Sequence, residues 1–250
     1  MSEARTGEHA AGAEGDLDEM PTDFERALCV VAHPDDMEFS AAAAVAAWTK
    51  EGKSVSYLLL TRGEAGIAGM PPAEAARVRE AEQRRSAEIV GVREVEFLDH
   101  PDGVLEYGTA LRRDIAGAIR RHRPELVVGF NCRETTYSGR WNSPDHRVAG
   151  RALLDAVGDA GNEWIFPDAG AAWGGVRHVA MAGSPQPTHA VDVSGTVDLA
   201  VASLEAHAAY LKPLFGEGPV DVRTPLSGLF GGIGQRFGGR PALSFELVRP

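Results

Sequence analysis

From Ala27 onward the chain alternates short apolar runs with longer mixed segments, and this alternation predicts its architecture. Ala27-Leu28-Cys29-Val30-Val31-Ala32 is a continuous apolar run, the mark of a strand buried on both faces. A helix is expected from Ser40 to Glu51, ended by Gly52, followed by a second strand over Ser54–Leu60. A glycine-bearing loop, Thr61-Arg62-Gly63-Glu64-Ala65-Gly66, then leads through Pro71-Pro72 into a long charged helix, Ala73–Val90, closed by Gly91. The same rhythm predicts strands at Val95–Leu98, Leu126–Phe130 and Val176–Ala180, and helices over 110–122, Pro144–Val157 and Thr196–Leu211. After Gly216 the chain is rich in Gly and Pro and is expected to be irregular until Ala242–Val248, which reads as an edge strand.

Strands and helices alternating at this spacing predict an α/β fold: a Rossmann-like three-layer sandwich with a mostly parallel sheet and helices on both faces. Residues 1 to about 24 are rich in Ala, Gly, Glu and Asp without apolar periodicity. They read as a disordered leader ahead of a single domain spanning 25–250. In such folds ligands bind beyond the carboxyl ends of the strands, so chemistry is expected in the segments that follow them: His33–Phe39, Thr61–Gly66, Asp99–Gly103 and Asn131–Asp145.

Charge and composition narrow the partners. A formal net charge of −11 lacks the basic face that a sequence-independent nucleic-acid binder or a polybasic membrane anchor requires. No run approaches the ~20 apolar residues of a membrane span, so a cytoplasmic enzyme is expected. The two cysteines have no CxxC partner, and Cys29 reads as core, Cys132 as a small filler near the site. The first strand ends in His-Pro-Asp-Asp rather than a glycine-rich loop, which disfavours a nucleotide-binding module.

That strand end carries the sharpest chemistry. His33, Asp35, Asp36 and Glu38 fall within six residues behind the stiffening Pro34. An imidazole and a carboxylate three residues apart converge on one cation if the backbone curls, and His with Asp is an ordinary zinc ligand set. The neighbouring carboxylate is then free to act as a base toward water. In Trp141-Asn142-Ser143-Pro144-Asp145-His146, Ser143 reads as an N-cap and Pro144 as the first helical residue. His146 then lies in the first helical turn, where the dipole keeps an imidazole neutral and able to ligate, and Asp145 is placed to orient an imidazole.

These residues resemble the LmbE-like family, also called the PIG-L or N-acetylglucosaminyl deacetylase family, from His33 to about residue 210. Ala32-His33-Pro34-Asp35-Asp36-Met37-Glu38 matches its signature, and Thr61–Gly66, Arg79 with Glu82, Pro101-Asp102-Gly103 and Pro144-Asp145-His146 match weaker parts of the pattern. The resemblance implies Zn2+ held by His33, Asp36 and His146, and Asp35 as general base toward metal-activated water. It further implies removal of an N-acetyl or other N-acyl group from an amino sugar or sugar conjugate, and assembly as a trimer or hexamer. The same ligands would also accept iron or cobalt.

One departure bears on catalysis: Ser143 stands where the family commonly has a histidine. A serine donates a hydrogen bond but is no proton shuttle at neutral pH. Asp145 or Asp35 would then protonate the leaving amine, and the competing reading is a weak or silent metal- or carbohydrate-binding relative. Arg79, Arg62, Glu64 and Asp102 are candidate substrate contacts, against the ordinary roles of solvated arginines and turn-capping carboxylates. His207, His189 and Asp192 read as structural, while Trp141, Tyr137 and Trp48 divide between pocket wall and core.

Overall fold

The computed structural model describes residues 16–216 and 218–250. One eight-stranded sheet forms the middle layer, in the order β1-β7-β8-β6-β5-β2-β3-β4. Its parallel centre consists of β2 (Arg26–Val31), β3 (Ser54–Leu59), β4 (Glu94–Phe97), β5 (Leu126–Phe130) and β6 (His178–Ala182). Alternate residues divide the core into two layers. Cys29, Val31, Tyr57, Leu59 and Val128 face α2 (Ala42–Lys50), α6 (Val197–Glu205) and α8 (Arg223–Gly234). Leu28, Val30, Leu58 and Val127 face α4 (Thr109–His122) and α5 (Pro144–Gly161). The strands are apolar on both faces because both faces are covered. Trp48 belongs to this core: it packs edge-on to Phe24 and stacks on Phe245, away from the site.

Five expectations change. Residues 1–15 of the expected leader lie outside the described residues, but 16–24 are part of the fold. Asp18–Glu19 (β1) pairs with β7 (His189–Asp192), and Leu17, Met20 and Phe24 are buried. Three apolar side chains spread over eight positions give no periodic signal, yet each fills a core position. The Ser40–Glu51 helix begins earlier, as α1 (Asp36–Ser40), and turns at Ala41 before α2. The Thr196–Leu211 helix breaks at His207 into α6 and α7 (Ala208–Phe215).

The region after Gly216 holds α8, a helix with four glycines whose Leu226 and Phe230 are buried. Glycine lowers helix propensity by about 1 kcal/mol per residue, and here packing outweighs it. Finally, β8 (Ala242–Val248) is not at the edge: it lies antiparallel between β6 and β7, and both neighbours cover its polar backbone.

The connection from β2 runs outward to β3 and β4, whereas β5 lies on its other side. The crevice between the ends of β2 and β5 is therefore the topological switch point, where loops diverge and leave room for a ligand. Among the described residues, no helix is long and apolar enough to cross a membrane.

Candidate active site

The loops after β2, β3, β4 and β5 enclose a cavity of about 490 Å³ at this switch point, within the ordinary range for small-molecule sites. His33, Asp35, Asp36, Arg79, Asp102, Ser143, His146 and Tyr210 all reach it. Asp35 takes a left-handed backbone conformation at φ 82°, uncommon for a non-glycine residue. That kink turns successive side chains apart, so that Asp35 and Asp36 engage different partners.

One donor atom from each of His33, Asp36 and His146 lies within 4.8 Å of the others. Asp36 Oδ1 is 3.1 Å from His146 Nε2, and Asp36 Oδ2 is 3.5 Å from His33 Nδ1 while accepting the His33 backbone N–H at 2.9 Å. The outer nitrogens are held as well. His146 Nδ1 lies 3.1 Å from the Asn142 side-chain oxygen, and His33 Nε2 lies 3.1 Å from Asp102 and 3.2 Å from Asp145. Neutral imidazoles donating these outer N–H groups would turn His33 Nδ1 and His146 Nε2 inward as free lone pairs, the arrangement that orients metal ligands.

The electrostatics favour a cation. Burial opposes charge on His33, but Asp36, with Asp102 and Asp145, outweighs it and raises the imidazole well above its ordinary pKa. Burial likewise works to raise Asp36, yet His146 and His33 hold its carboxyl below the usual carboxylate range. A field that protonates a buried imidazole also favours a divalent ion between the same groups. The two-histidine, one-carboxylate set therefore fits zinc in both chemistry and surroundings. A second trio, His33, Asp102 and Asp145, also lies within 4.8 Å. Its carboxylates are engaged elsewhere: Asp145 accepts backbone N–H groups from Gly103 and Leu105, and Asp102 one from Ala65.

Behind Asp35 stands α3 (Pro72–Ile89), and its buried face is polar: Arg79, Glu82, Gln83 and Ser86 recur at helical spacing. Gln83 accepts the Asp35 backbone N–H at 2.9 Å and donates to Glu38 at 2.8 Å. Arg79 donates to Asp35 Oδ1 at 2.8 Å, to the Pro34 carbonyl at 2.6 Å and to the Gly63 carbonyl at 3.1 Å. Its guanidinium also lies 4.1 Å from the Tyr210 ring centroid. Burial pushes the Asp35 carboxyl above its ordinary value, and Arg79 pulls against that shift.

Several candidate residues hold other partners than those expected. Arg79 is only 2% exposed and grips Asp35 and two carbonyls rather than standing free for a substrate. Arg62 pairs with Glu80 and Asp99. Glu64 accepts the Asp102 backbone N–H, and Asp102 itself holds His33 and Ala65. Asp145 is fully buried and orients His33, not its neighbour His146, because successive helical residues point in different directions.

Ser143 is the N-cap of α5 but makes no side-chain capping bond, and it lines the cavity. His207 is fully buried behind Glu38, 3.6 Å away. His189 and Asp192 bound β7, Cys29 is core, and Trp141 and Tyr137 are exposed on the loop after β5. Sequence reasoning missed Tyr210, Gln83 and Asn142. Tyr210 reaches the site only because the helix breaks at His207. Gln83 shares the 79, 82, 83, 86 stripe, a legible signal of a buried polar face.

Gly63 and Gly66 lie directly against Arg79, and a Cβ at either position would meet its guanidinium inside contact distance. Gly66→Ala is therefore expected to displace Arg79 and destabilise the protein by about 1–3 kcal/mol, the usual cost of overpacking. Thermal denaturation would measure it; an unchanged melting temperature would mean Arg79 moves freely.

The PIG-L family model, described as GlcNAc-PI de-N-acetylase, matches residues 28–157. A diacetylchitobiose deacetylase from Thermococcus kodakarensis is 31% identical over 76% of this chain and 72% of its own length. A probable N-acetyl-alpha-D-glucosaminyl L-malate deacetylase 2 from Bacillus anthracis is 33% identical over 52% of this chain and 58% of its own. Among solved structures, the N,N'-diacetylchitobiose deacetylase from Pyrococcus horikoshii superposes with a TM-score of 0.82 at 21% identity. It covers 91% of this chain and 85% of that one, and establishes the fold. The chain belongs to the PIG-L family, whose named relatives here are deacetylases, amidohydrolases acting on N-acetyl groups.

Proposed function

We propose that the protein is a zinc-dependent hydrolase that removes an N-acetyl group from an amino-sugar substrate. The observation that supports this most directly is the convergence of His33, Asp36 and His146 on one cavity wall, with Asp35 beside them, in a chain of this family. A divalent cation held by those three residues would supply Lewis acidity toward the amide carbonyl and lower the pKa of water.

The chain's own groups do the rest. Asp35 accepts a proton as water adds to the carbonyl carbon, and its raised pKa suits a base working near neutral pH. When the C–N bond breaks, the protonated Asp35 returns that proton to nitrogen, giving a free amine and a carboxylic acid that then loses its own proton to solvent. This shuttle needs no histidine at position 143. Asp145 is engaged with Gly103, Leu105 and His33, so its role is to orient a ligand rather than to protonate the amine.

Tyr210 is a neutral donor that lines the cavity beside Asp35. Burial, followed by the charge of Asp35, pushes its hydroxyl above the ordinary tyrosine range, so it stays protonated in the cavity. We assign it the stabilising hydrogen bond that a histidine in place of Ser143 would give. Tyr210→Phe is expected to lower kcat by about 100-fold, the scale of losing one oxyanion donor, with bound metal retained.

The decisive test is a panel of N-acetylated amino sugars incubated with zinc-loaded protein, reading free amine and acetate. Release that stops on chelation is the expected result. Stoichiometric metal with no release from any member would favour a silent binding relative.

A further inference from the structure

Beyond the metal side of the cavity lies a second hollow of about 390 Å³. Phe39 and Phe130 line both spaces. Its far wall is aliphatic: Leu204, Val222, Leu226, Leu229 and Ile233 contribute to it. Once Leu226 and Phe230 are buried, α8 still turns half-buried Leu229 and Ile233 toward this space. Three large apolar side chains that are unusually exposed, Phe39, Phe215 and Tyr137, also line it. Exposed apolar surface gathered around one hollow marks a ligand site more often than chance.

Several polar groups in the lining are already matched. Asn131 bonds Thr135 and Arg133, Ser184 donates to Glu246, and Ser40 donates to the Asp36 carbonyl. Arg236 is the lone charged lining residue among those described.

The hollow adjoins the metal cavity at Phe39 and Phe130, which neighbour the proposed ligands. Phe39 follows Asp36 by three residues, and the Phe130 ring lies 4.6 Å from the His146 ring. The polar rim, with Asp102, Gly103, Ala65 and Gly66, belongs to the metal cavity and not to the hollow. An amide at the metal would direct its amine-bearing sugar toward that rim and its acyl group toward the phenylalanines. An aglycone, several bonds further from the carbonyl, would not enter beside the ligands.

We propose that this hollow receives the acyl chain, and that the preferred substrates carry an aliphatic N-acyl group longer than acetyl. The inference rests on the deacylase reading but is tested separately from it.

The probes are glucosamines N-acylated with acetyl, butyryl, hexanoyl and octanoyl groups, titrated into metal-free protein by calorimetry and assayed for turnover with zinc. Affinity and kcat/KM are expected to rise by up to about fourfold per added methylene until the hollow is filled, the value of about 0.8 kcal/mol per buried methylene. Leu229→Trp should flatten both series by filling the space. A flat series in binding and turnover, with acetyl still released, overturns the proposal and leaves the deacetylase reading standing. A rising binding series without turnover supports the hollow and sinks that reading. Tight binding of octyl N-acetylglucosaminide, with no gain for N-octanoylglucosamine, assigns the space to the aglycone and overturns the proposal.

Discussion

Asp35→Asn is expected to lower kcat for amide hydrolysis by about 100- to 10,000-fold, the range that a positioned general base contributes, while metal content and KM stay near their starting values. The separation follows from the geometry. Asp36 faces His33 and His146, whereas Asp35 is turned from them by the left-handed kink and held by Arg79 and Gln83. Asparagine keeps the volume, and its side-chain oxygen can still accept from Arg79. It cannot take a proton from water near neutral pH. Single-turnover kinetics beside metal analysis provide the check. Hydrolysis at an undiminished rate would remove Asp35 from the reaction, and a parallel loss of metal would place it among the ligands.

The fold was legible because strands buried on both faces write themselves as unbroken apolar runs. Val30-Val31 and Leu58-Leu59 carry both core layers in adjacent letters. The elements that escaped lack such runs. β1 is two residues long and leans on neighbours distant in sequence, and α8 is held as a helix by Leu226 and Phe230 in spite of its glycines.

The site divides in the same way. His33, Asp35 and Asp36 are contiguous, so their proximity is written in the chain, and His146 was placed by the Ser-Pro helix start. Which partner each charge holds was not legible, because that depends on contacts between separate loops. Arg79 and Asp102 have the residue types of sugar clamps, yet both face inward, one to Asp35 and one to His33. A buried polar stripe on α3 is the feature that would have corrected Arg79, since an arginine in line with Glu82, Gln83 and Ser86 has a protein partner, not a solvent face. Unpaired, such a charge would be too costly to bury.

Removing Asp36 is expected to abolish metal binding and activity together. The metal-free cluster is an anion between two imidazoles, with Asp36 3.1 Å from His146 and 3.5 Å from His33. It is the only carboxylate that faces both rings in the trio. Saturating the native protein at about 100 times the dissociation constant stabilises it by about 2.7 kcal/mol. For a chain of this length that raises the melting temperature by about 5–10 °C. In Asp36→Ala the rise should vanish and bound metal should fall from one ion per chain to background. Asp102→Ala should keep the ion with weakened affinity, because Asp102 orients His33 from its far nitrogen, and loss of such a partner costs about 10- to 100-fold in metal affinity. The contrast discriminates between the two trios that share His33. An ion retained by Asp36→Ala and lost by Asp102→Ala would sit among His33, Asp102 and Asp145, and the assignment of His146 as a ligand would fall with it.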